Sequence, residues 1–363
     1  MGITIESTSI YNNQFLSLLR LGIGNKAEPL QETVNWDAIE ALAVRHGLLA
    51  IVYDAVQKLP ESQRPPLETW LRWIGQVVQN YEQRYEVYHN AVDKLAAFYN
   101  AHGYRMMVLK GLACGMDWPN PSHRPYGDID VWMFGKQKDA DLALQKETGI
   151  KIDNSHHHHT VFNWTGFMVE NHYDFVNVHA LGSSRELEKI FKALGNSSAS
   201  DVIHIPSDIY LPSANLHALF LVRHMVSHFA AAEMSLRQVL DWVFFVKKHS
   251  KEIDWKWLTG LLEQYHMKDF FDCINAICVE DLGFDRNIFP YIQSNDTLKN
   301  RVLSEIITPA YSAATPKEFM PRVVYKLRRW RGSAWKQELC YPESRFLIFV
   351  GGVWHHLLKP AGI

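Results

Sequence analysis

The chain has 363 residues, of which 47% are hydrophobic and 21% are charged, and its formal net charge at pH 7 is −2. This composition is typical of a globular protein with a sizeable core, and the length predicts two or three domains. The nearly neutral charge argues against bulk DNA binding, because a protein that binds DNA in this way carries a strong basic excess.

Targeting features are not apparent, so the sequence predicts a cytoplasmic protein without a membrane partner. The first residues, MGITIESTSI, lack the basic and apolar segments of a signal peptide, and no apolar run is long enough to span a bilayer. Cys114, Cys273, Cys278 and Cys340 form no CxxC pair. We therefore expect free, buried cysteines in a reducing compartment.

Residues 1–103 are predicted to form a helical region. Asn35 is a candidate N-cap for a helix whose apolar stripe continues to Leu59. A second, long amphipathic helix follows a pair of prolines and ends at Gly103.

Residues 104–205 are predicted to form an α+β domain with a small mixed sheet. Strand composition occurs in RMMVLK, DIDVWMF, HTVFNW, GFMVE and YDFVNVHAL, which are separated by turn-prone stretches. The helical period then returns, and residues 206–363 are predicted to be a helical domain whose last helix is the apolar RFLIFVGGVWHHLL.

Two carboxylates stand one residue apart in the strand-like run DIDVWMF. Because side chains alternate along a strand, Asp128 and Asp130 project to the same side while Ile129 and Val131 face the core. Their oxygens are suitable ligands for Mg²⁺, which is commonly shared with substrate phosphates. The alternative is a pair of solvated carboxylates at an exposed strand end.

A potential anion site precedes this pair. Lys110 and Gly111 end a predicted strand before a short helix. A lysine, free backbone N–H groups and a glycine without Cβ together suit a phosphate group.

The order of these features resembles the core motif of the DNA polymerase β-like nucleotidyltransferase superfamily, and in particular an uncharacterised nucleotidyltransferase family of bacteria. The similarity lies in the LKG tripeptide, in Arg124 and in the GDID sequence that begins at Gly127. It implies Mg²⁺-dependent transfer of a nucleoside monophosphate from a nucleoside triphosphate to a hydroxyl of an unknown small-molecule, protein or RNA acceptor.

The resemblance also implies a role for each matching residue. Asp128 and Asp130 would be catalytic metal ligands. Lys110 would be catalytic and would bind the nucleotide together with Gly111, Arg124 and Gly127, with Arg124 balancing phosphate charge.

The family pattern includes a third carboxylate two residues before a histidine on a later strand. In YDFVNVHAL we match that histidine to His179, which puts Asn177 at the third metal-ligand position. Asn177 offers a carbonyl oxygen but no charge and no base. The chain could therefore use two acids, recruit another such as Asp174 through a bulge, or bind nucleotide without catalysis. A further alternative is a metal-dependent phosphohydrolase that uses Asp128, Asp130 and histidines.

The candidates for the wall of a cleft are His179 and three residues of the helical domain, His224, Arg237 and Asp241. His224 and His228 are four residues apart and share a helix face, and we expect them to be partly buried rather than to bind a metal. Arg237 and Asp241 have the same spacing, which favours an intrahelical ion pair, although either could line the cleft.

Two further segments carry unusual composition. Alternation would place only two of His156–His159 on each side of a strand, so we expect a strand or hairpin edge near the cleft rather than a physiological metal site. The basic segment KLRRWRG, residues 326–332, could bind a phosphate-rich acceptor such as RNA, but the favoured interpretation is an exposed turn.

Overall fold

The structure is a computed structural model, and it describes residues 5–30, 33–179, 181–197, 202–205, 207–231, 234–293, 295–311, 316 and 318–344. The helix predicted for RFLIFVGGVWHHLL lies outside these residues. Among the described helices, none is both long and apolar enough to cross a membrane. The four cysteines are free and buried, as predicted.

The N-terminal region is helical, as predicted. Its α-helices are α1 (Ile5–Gly22), α2 (Trp36–His46), α3 (Leu49–Lys58), α4 (Leu67–Val77) and α5 (Gln83–Ala101). Asn35 caps α2 by accepting a hydrogen bond from the backbone N–H of Ala38 at 3.0 Å. The single helix predicted up to Leu59 is divided in two, because Gly47 takes a left-handed φ of 67° and ends α2.

A mixed sheet of six strands confirms the predicted α+β class. The strands are β1 (Met107–Val108), β2 (Ile129–Trp132), β3 (His159–Trp164), β4 (Phe167–His172), β5 (Val202–Ile205) and β6 (Ser207–Tyr210). Their order is β3-β4-β2-β1-β6-β5, with β2–β4 and β1–β6 parallel and the other pairs antiparallel. The sheet continues to Tyr210, past the predicted domain end at residue 205.

The remaining helices connect the strands and form the C-terminal region. They are α6 (Leu112–Gly115), α7 (Gln137–Thr148), α8 (Gly182–Ser197), α9 (Ala214–Ala231), α10 (Leu236–His249), α11 (Trp255–Gln264), α12 (Lys268–Ala276), α13 (Asp296–Ile307), α14 (Phe319–Gly332) and α15 (Ala334–Cys340). The predicted turn at 326–332 is wrong, since this segment belongs to α14, although Lys326, Arg328 and Arg331 are exposed as expected.

The two faces of the sheet have different environments. Ile129 and Val131 of β2 are fully buried in an apolar core with residues of α5 and α7. Trp132 belongs to the larger core that includes the N-terminal and C-terminal helices. Because side chains alternate, Asp128 and Asp130 share the face of Trp132. The fold therefore directs both carboxylates toward the helices that follow the sheet.

Candidate functional site

The carboxylates of the site come from two neighbouring parallel strands. Asp130 of β2 lies directly opposite Glu170 of β4 in the register of the sheet. One ligand atom each from Asp130, Glu170 and His172 lie within 4.8 Å of one another, a spacing that could hold a metal ion. Asp128 immediately precedes β2 on the same face. Three acidic side chains are thus concentrated at one end of this strand pair.

The carboxylate that the structure brings beside Asp130 is therefore Glu170, whereas Asn177 was matched to that position from the sequence. The predicted strand YDFVNVHAL does not form: its described part is bends, turns and irregular backbone after β4. The side chain of Asn177 accepts a hydrogen bond from the backbone N–H of His179 at 3.0 Å, as in a local turn. Glu170 precedes His172 by the same two residues that led to the earlier match.

The candidate Glu170 was within reach of the sequence. GFMVE was predicted as a strand, and the E-x-H spacing of Glu170 and His172 was present at its end. What the sequence did not indicate is which strand neighbours β2, because that pairing joins residues about forty positions apart.

Asp130 is the electrostatic centre of the site. Its side chain is almost completely buried, 2.7 Å from the Lys110 ammonium and 3.2 Å from Nε2 of His172. Burial disfavours its charge, but the attraction of Lys110 and His172 outweighs burial and holds the pKa of Asp130 below its usual value. Burial likewise opposes the charge of His172, yet its hydrogen bond to Asp130 and its 3.6 Å contact with Glu170 raise its pKa to about 9.

The pKa of Asp128 is shifted in the opposite direction to that of Asp130. The negative charge of Asp130 and then burial raise the pKa of Asp128 above its usual value, against the attraction of Lys110. The ionised pair therefore repels, and a bound cation would relieve this repulsion. The oxygen donors of Asp128, Asp130 and Glu170 fit a hard divalent cation such as Mg²⁺.

Lys110 and Gly111 connect β1 to the four-residue helix α6. For Lys110, the charges of Asp130, Asp128 and Glu170 overcome burial and raise the pKa of the ammonium group. Gly111 has a φ of 56°, and a Cβ there would stand 1.9 Å from the hydroxyl oxygen of Tyr88. Close packing against α5 and a left-handed backbone therefore both require this glycine.

Helices α9 and α10 close the space in front of the carboxylates. They and the sheet enclose a cavity of about 450 Å³. The predicted site and cleft residues that line it are Lys110, Gly111, Arg124, Gly127, Asp128, Asp130, His224, His228, Arg237 and Asp241. Asn177 and His179, also predicted for the site, are not among its described lining residues.

The two arginines of the cavity differ in their partners. Arg124 makes a bidentate ion pair with Asp241, at 2.8 and 3.0 Å, and its Nη1 donates to the carbonyl of Pro125. Asp241 also accepts a hydrogen bond from Trp118 at 2.8 Å. The expected intrahelical pair between Arg237 and Asp241 is therefore wrong, because the carboxylate is turned toward Arg124.

Arg237 is left without an ionic partner among the described residues. Its Nε is buried and has no hydrogen-bond partner there. Burial and the neighbouring Arg124 charge lower the pKa of Arg237, against the attraction of Asp241. Arg237 is half-buried, and a partly desolvated cation without a partner is costly in free energy, so an anion that entered the cavity would gain by pairing with it.

Histidines gather beside the carboxylates on the β3 side of the sheet. Ring centroids of His158 and His159 lie 4.3 Å apart, and both lie within 5.5 Å of that of His172. Burial is the largest influence on both and lowers the pKa of His158 and, to about 4, that of His159. Both rings are therefore neutral at pH 7.

The fold and the paired carboxylates define a protein of nucleotidyltransferase type. The chain belongs to a family described as uncharacterised nucleotidyltransferase, whose model matches residues 32–283. The match includes β2, β4 and the cavity helices α9 and α10. No match was found among curated proteins or among solved structures. Family membership supports nucleotidyl transfer in general.

Proposed function

We propose that this protein transfers a nucleoside monophosphate from a nucleoside triphosphate to an acceptor hydroxyl, with Mg²⁺ held by Asp128, Asp130 and Glu170. The observation that carries the proposal is the register of β2 and β4, which sets Glu170 directly opposite Asp130. Asp130 lines the cavity, and Glu170 is not among its described lining residues. Mg²⁺ bound there would lower the pKa of the acceptor hydroxyl and neutralise charge on the phosphates.

The protein's own residues supply the base for the acceptor hydroxyl and the positive charges for the phosphates. The acceptor oxygen forms a bond to the α-phosphorus, the bond from that phosphorus to the β-phosphate oxygen breaks, and pyrophosphate leaves. Glu170 is the candidate acceptor of the hydroxyl proton. Burial raises the pKa of Glu170, but the His172 ring 3.6 Å away more than offsets burial, so the pKa lies below its usual value and Glu170 is ionised at neutral pH.

Two cations are in position for the phosphates. Lys110 lies at the cavity wall, where its ammonium group can exchange Asp130 for a phosphate oxygen. Arg237 reaches the same cavity from α10 without an ion pair to break. The nucleotide-binding role predicted for Arg124 stays a prediction, and its bidentate pair with Asp241 makes Arg237 the better candidate for a phosphate contact.

Glu170 also bears on the two alternative functions, nucleotide binding without catalysis and phosphohydrolysis. The alternative of nucleotide binding without catalysis rests on the uncharged Asn177, and a third carboxylate opposite Asp130 weakens that reason. A phosphohydrolase would use water instead of an acceptor and would release inorganic phosphate rather than pyrophosphate, so product analysis separates the two activities.

The first test is calorimetric titration of the full chain with each nucleoside triphosphate, with and without Mg²⁺. We expect binding that needs Mg²⁺ and that is lost in the Asp128→Ala/Asp130→Ala variant, while Asn177→Ala binds normally. Binding of equal strength without Mg²⁺, or no binding of any triphosphate, would contradict the proposal.

Arg237 provides a sharper test of the phosphate site. We expect Arg237→Gln to weaken triphosphate binding at least about tenfold, with partial recovery in Arg237→Lys, because a charged hydrogen bond to phosphate contributes about 1.5–3 kcal/mol. Arg45→Gln is the matched control, since Arg45 is an exposed arginine at the rim of the same cavity. Equal losses in Arg45→Gln and Arg237→Gln would indicate a general charge effect.

A further inference from the structure

Two histidines next to the carboxylates, His158 and His159, have no part in the proposed transfer, and together with His172 they form a group. His158, His159 and His172 each offer one ring nitrogen within 4.8 Å of the other two. His159 and His172 face each other across the antiparallel pair of β3 and β4. The group is therefore formed by two strands and the residue that precedes one of them.

The local backbone explains how two consecutive histidines reach one place. A regular strand would send His158 and His159 to opposite sides, but only His159 belongs to β3, and the residues before it form bends. The carbonyl of His158 accepts hydrogen bonds from the backbone N–H groups of Tyr173 and Asp174, both at 3.1 Å. These two bonds fix the bend against the end of β4.

Ring nitrogens in this group lack partners. Nδ1 of His158 and Nδ1 of His159 are buried, and neither has a hydrogen-bond partner among the described residues. Buried polar atoms are normally satisfied, and an imidazole nitrogen without a proton donor is a ready metal ligand. Two such atoms next to a third histidine point to a missing ligand.

We infer that His158, His159 and His172 bind one transition-metal dication, such as Zn²⁺, at a site next to the oxygen ligands of Mg²⁺, with the His172 ring common to both groups. Imidazole nitrogen suits Zn²⁺ and its neighbours in the first transition row, whereas Mg²⁺ prefers oxygen. A Zn–N distance of about 2.0–2.1 Å requires the three nitrogens to approach to about 3.3 Å, a shift of roughly 1 Å in side-chain position.

The site is connected to the carboxylates through His172. Its Nε2 lies 3.2 Å from Asp130, while its Nδ1 has a 3.3 Å contact with the carbonyl of Asp174. Coordination through Nδ1 requires His172, which is protonated at neutral pH, to release the Nδ1 proton to solvent and to give up its contact with the Asp174 carbonyl. The Nε2 hydrogen bond to Asp130 stays in place, which is the usual carboxylate–histidine–metal arrangement. An ion held by the three histidines would thus fix the orientation of His172 beside Asp130.

The test needs no nucleotide and no acceptor, so its result is independent of the proposed transfer. The full chain, stripped with a chelator, is dialysed against Zn²⁺ and analysed for bound metal, and a Co²⁺ titration reports nitrogen coordination by its visible spectrum. We expect one equivalent per chain. His158→Gln and His159→Gln should each raise the dissociation constant at least about tenfold.

Three controls decide between this site and its neighbours. His157→Ala belongs to the same histidine run but not to the group, and should bind Zn²⁺ as the wild type does. Asp128→Ala should keep Zn²⁺, and excess Mg²⁺ should not displace it. Thermal unfolding without metal checks that each variant folds, and Zn²⁺ should raise the midpoint of the wild type but not that of His158→Gln.

Several results would overturn the inference. One is bound metal well below one equivalent, and another is equal affinity in the wild type, His158→Gln and His159→Gln. Loss of Zn²⁺ in Asp128→Ala, or its displacement by Mg²⁺, would place the ion at the carboxylates instead. Loss in His157→Ala alone would indicate an adventitious site in the histidine run.

Discussion

The two faces of β2 show how one short strand can serve stability on one side and chemistry on the other. Ile129 and Val131 are fully buried among apolar side chains of α5 and α7. On the opposite face, Asp128 and Asp130 border a cavity, and the charge of Asp130 raises the pKa of Asp128. The apolar face contributes the free energy that holds like charges together on the other face.

The largest expected effect, a loss of activity, tests whether the acidic face of β2 serves chemistry and the apolar face stability. Asp128→Asn should reduce the rate of pyrophosphate formation on the order of 10³-fold, because a preorganised charge is lost. Without metal, the same variant should be as stable as the wild type or more stable, since a repulsion disappears. Val131→Ala should keep most activity but lower the free energy of unfolding by about 2 kcal/mol.

Both variants are compared by urea denaturation with a chelator present, and by pyrophosphate formation with cell extract as the acceptor source. If Asp128→Asn lost as much stability as Val131→Ala, Asp128 would be a structural residue, and the two faces of β2 would not differ in function as proposed.

Gly111 links the two faces, because it borders the cavity while Tyr88 of α5 lies directly beneath it. Gly111→Ala should lower the free energy of unfolding by about 1–3 kcal/mol, through the left-handed φ and the contact with the Tyr88 hydroxyl. Adding Tyr88→Phe should restore part of this loss in denaturation measurements. Gly127→Ala is the control, since its Cβ would meet nothing within 4 Å. Equal losses at Gly111 and Gly127 would contradict this account.

The cavity wall opposite the sheet predicts a pH effect. His46 of α2 has Nε2 3.3 Å from the carbonyl of Ile307, and its Nδ1 accepts from the backbone N–H of Leu236 at 3.3 Å. Burial lowers its pKa from 6.5 to about 4, although the Ile307 contact opposes this. The folded state therefore favours the neutral ring, and its contribution to stability is complete above pH 6.5 and is lost as pH falls toward 4.

Denaturation of the wild type and of His46→Gln at pH 7.5 and pH 5 measures this contribution. We expect the wild type to lose more stability than the variant between these two conditions, by about 1.4 kcal/mol for each pH unit through which only the unfolded chain is protonated. An identical loss in both proteins would mean that other groups cause the acid sensitivity.

The smallest expected effect concerns the loop after β4. Asn177→Asp should change nucleotide binding and pyrophosphate formation less than about twofold, because the Asn177 side chain accepts a hydrogen bond within a local turn. A large gain of activity would show that the third carboxylate position is Asn177 after all and would remove the assignment of Glu170.

Much of the architecture followed from local pattern. The helical regions, the N-cap at Asn35, four of the five predicted strands and the shared face of Asp128 and Asp130 all follow from periodicity and from residue type over short stretches. The segment YDFVNVHAL was misassigned because its composition suits a strand, whereas its backbone makes bends beside α8.

The sequence by itself determined the α+β class, the family and the shared strand face of Asp128 and Asp130, since each depends on neighbours along the chain. Only the tertiary structure decided that Glu170 lies opposite Asp130, that Asp241 pairs with Arg124, and that Arg237 has no ionic partner among the described residues. Those results depend on strand order and on helix packing between distant segments. Arg124 and Arg237, for example, are both near Asp241, and only the packing decides which of them pairs with it.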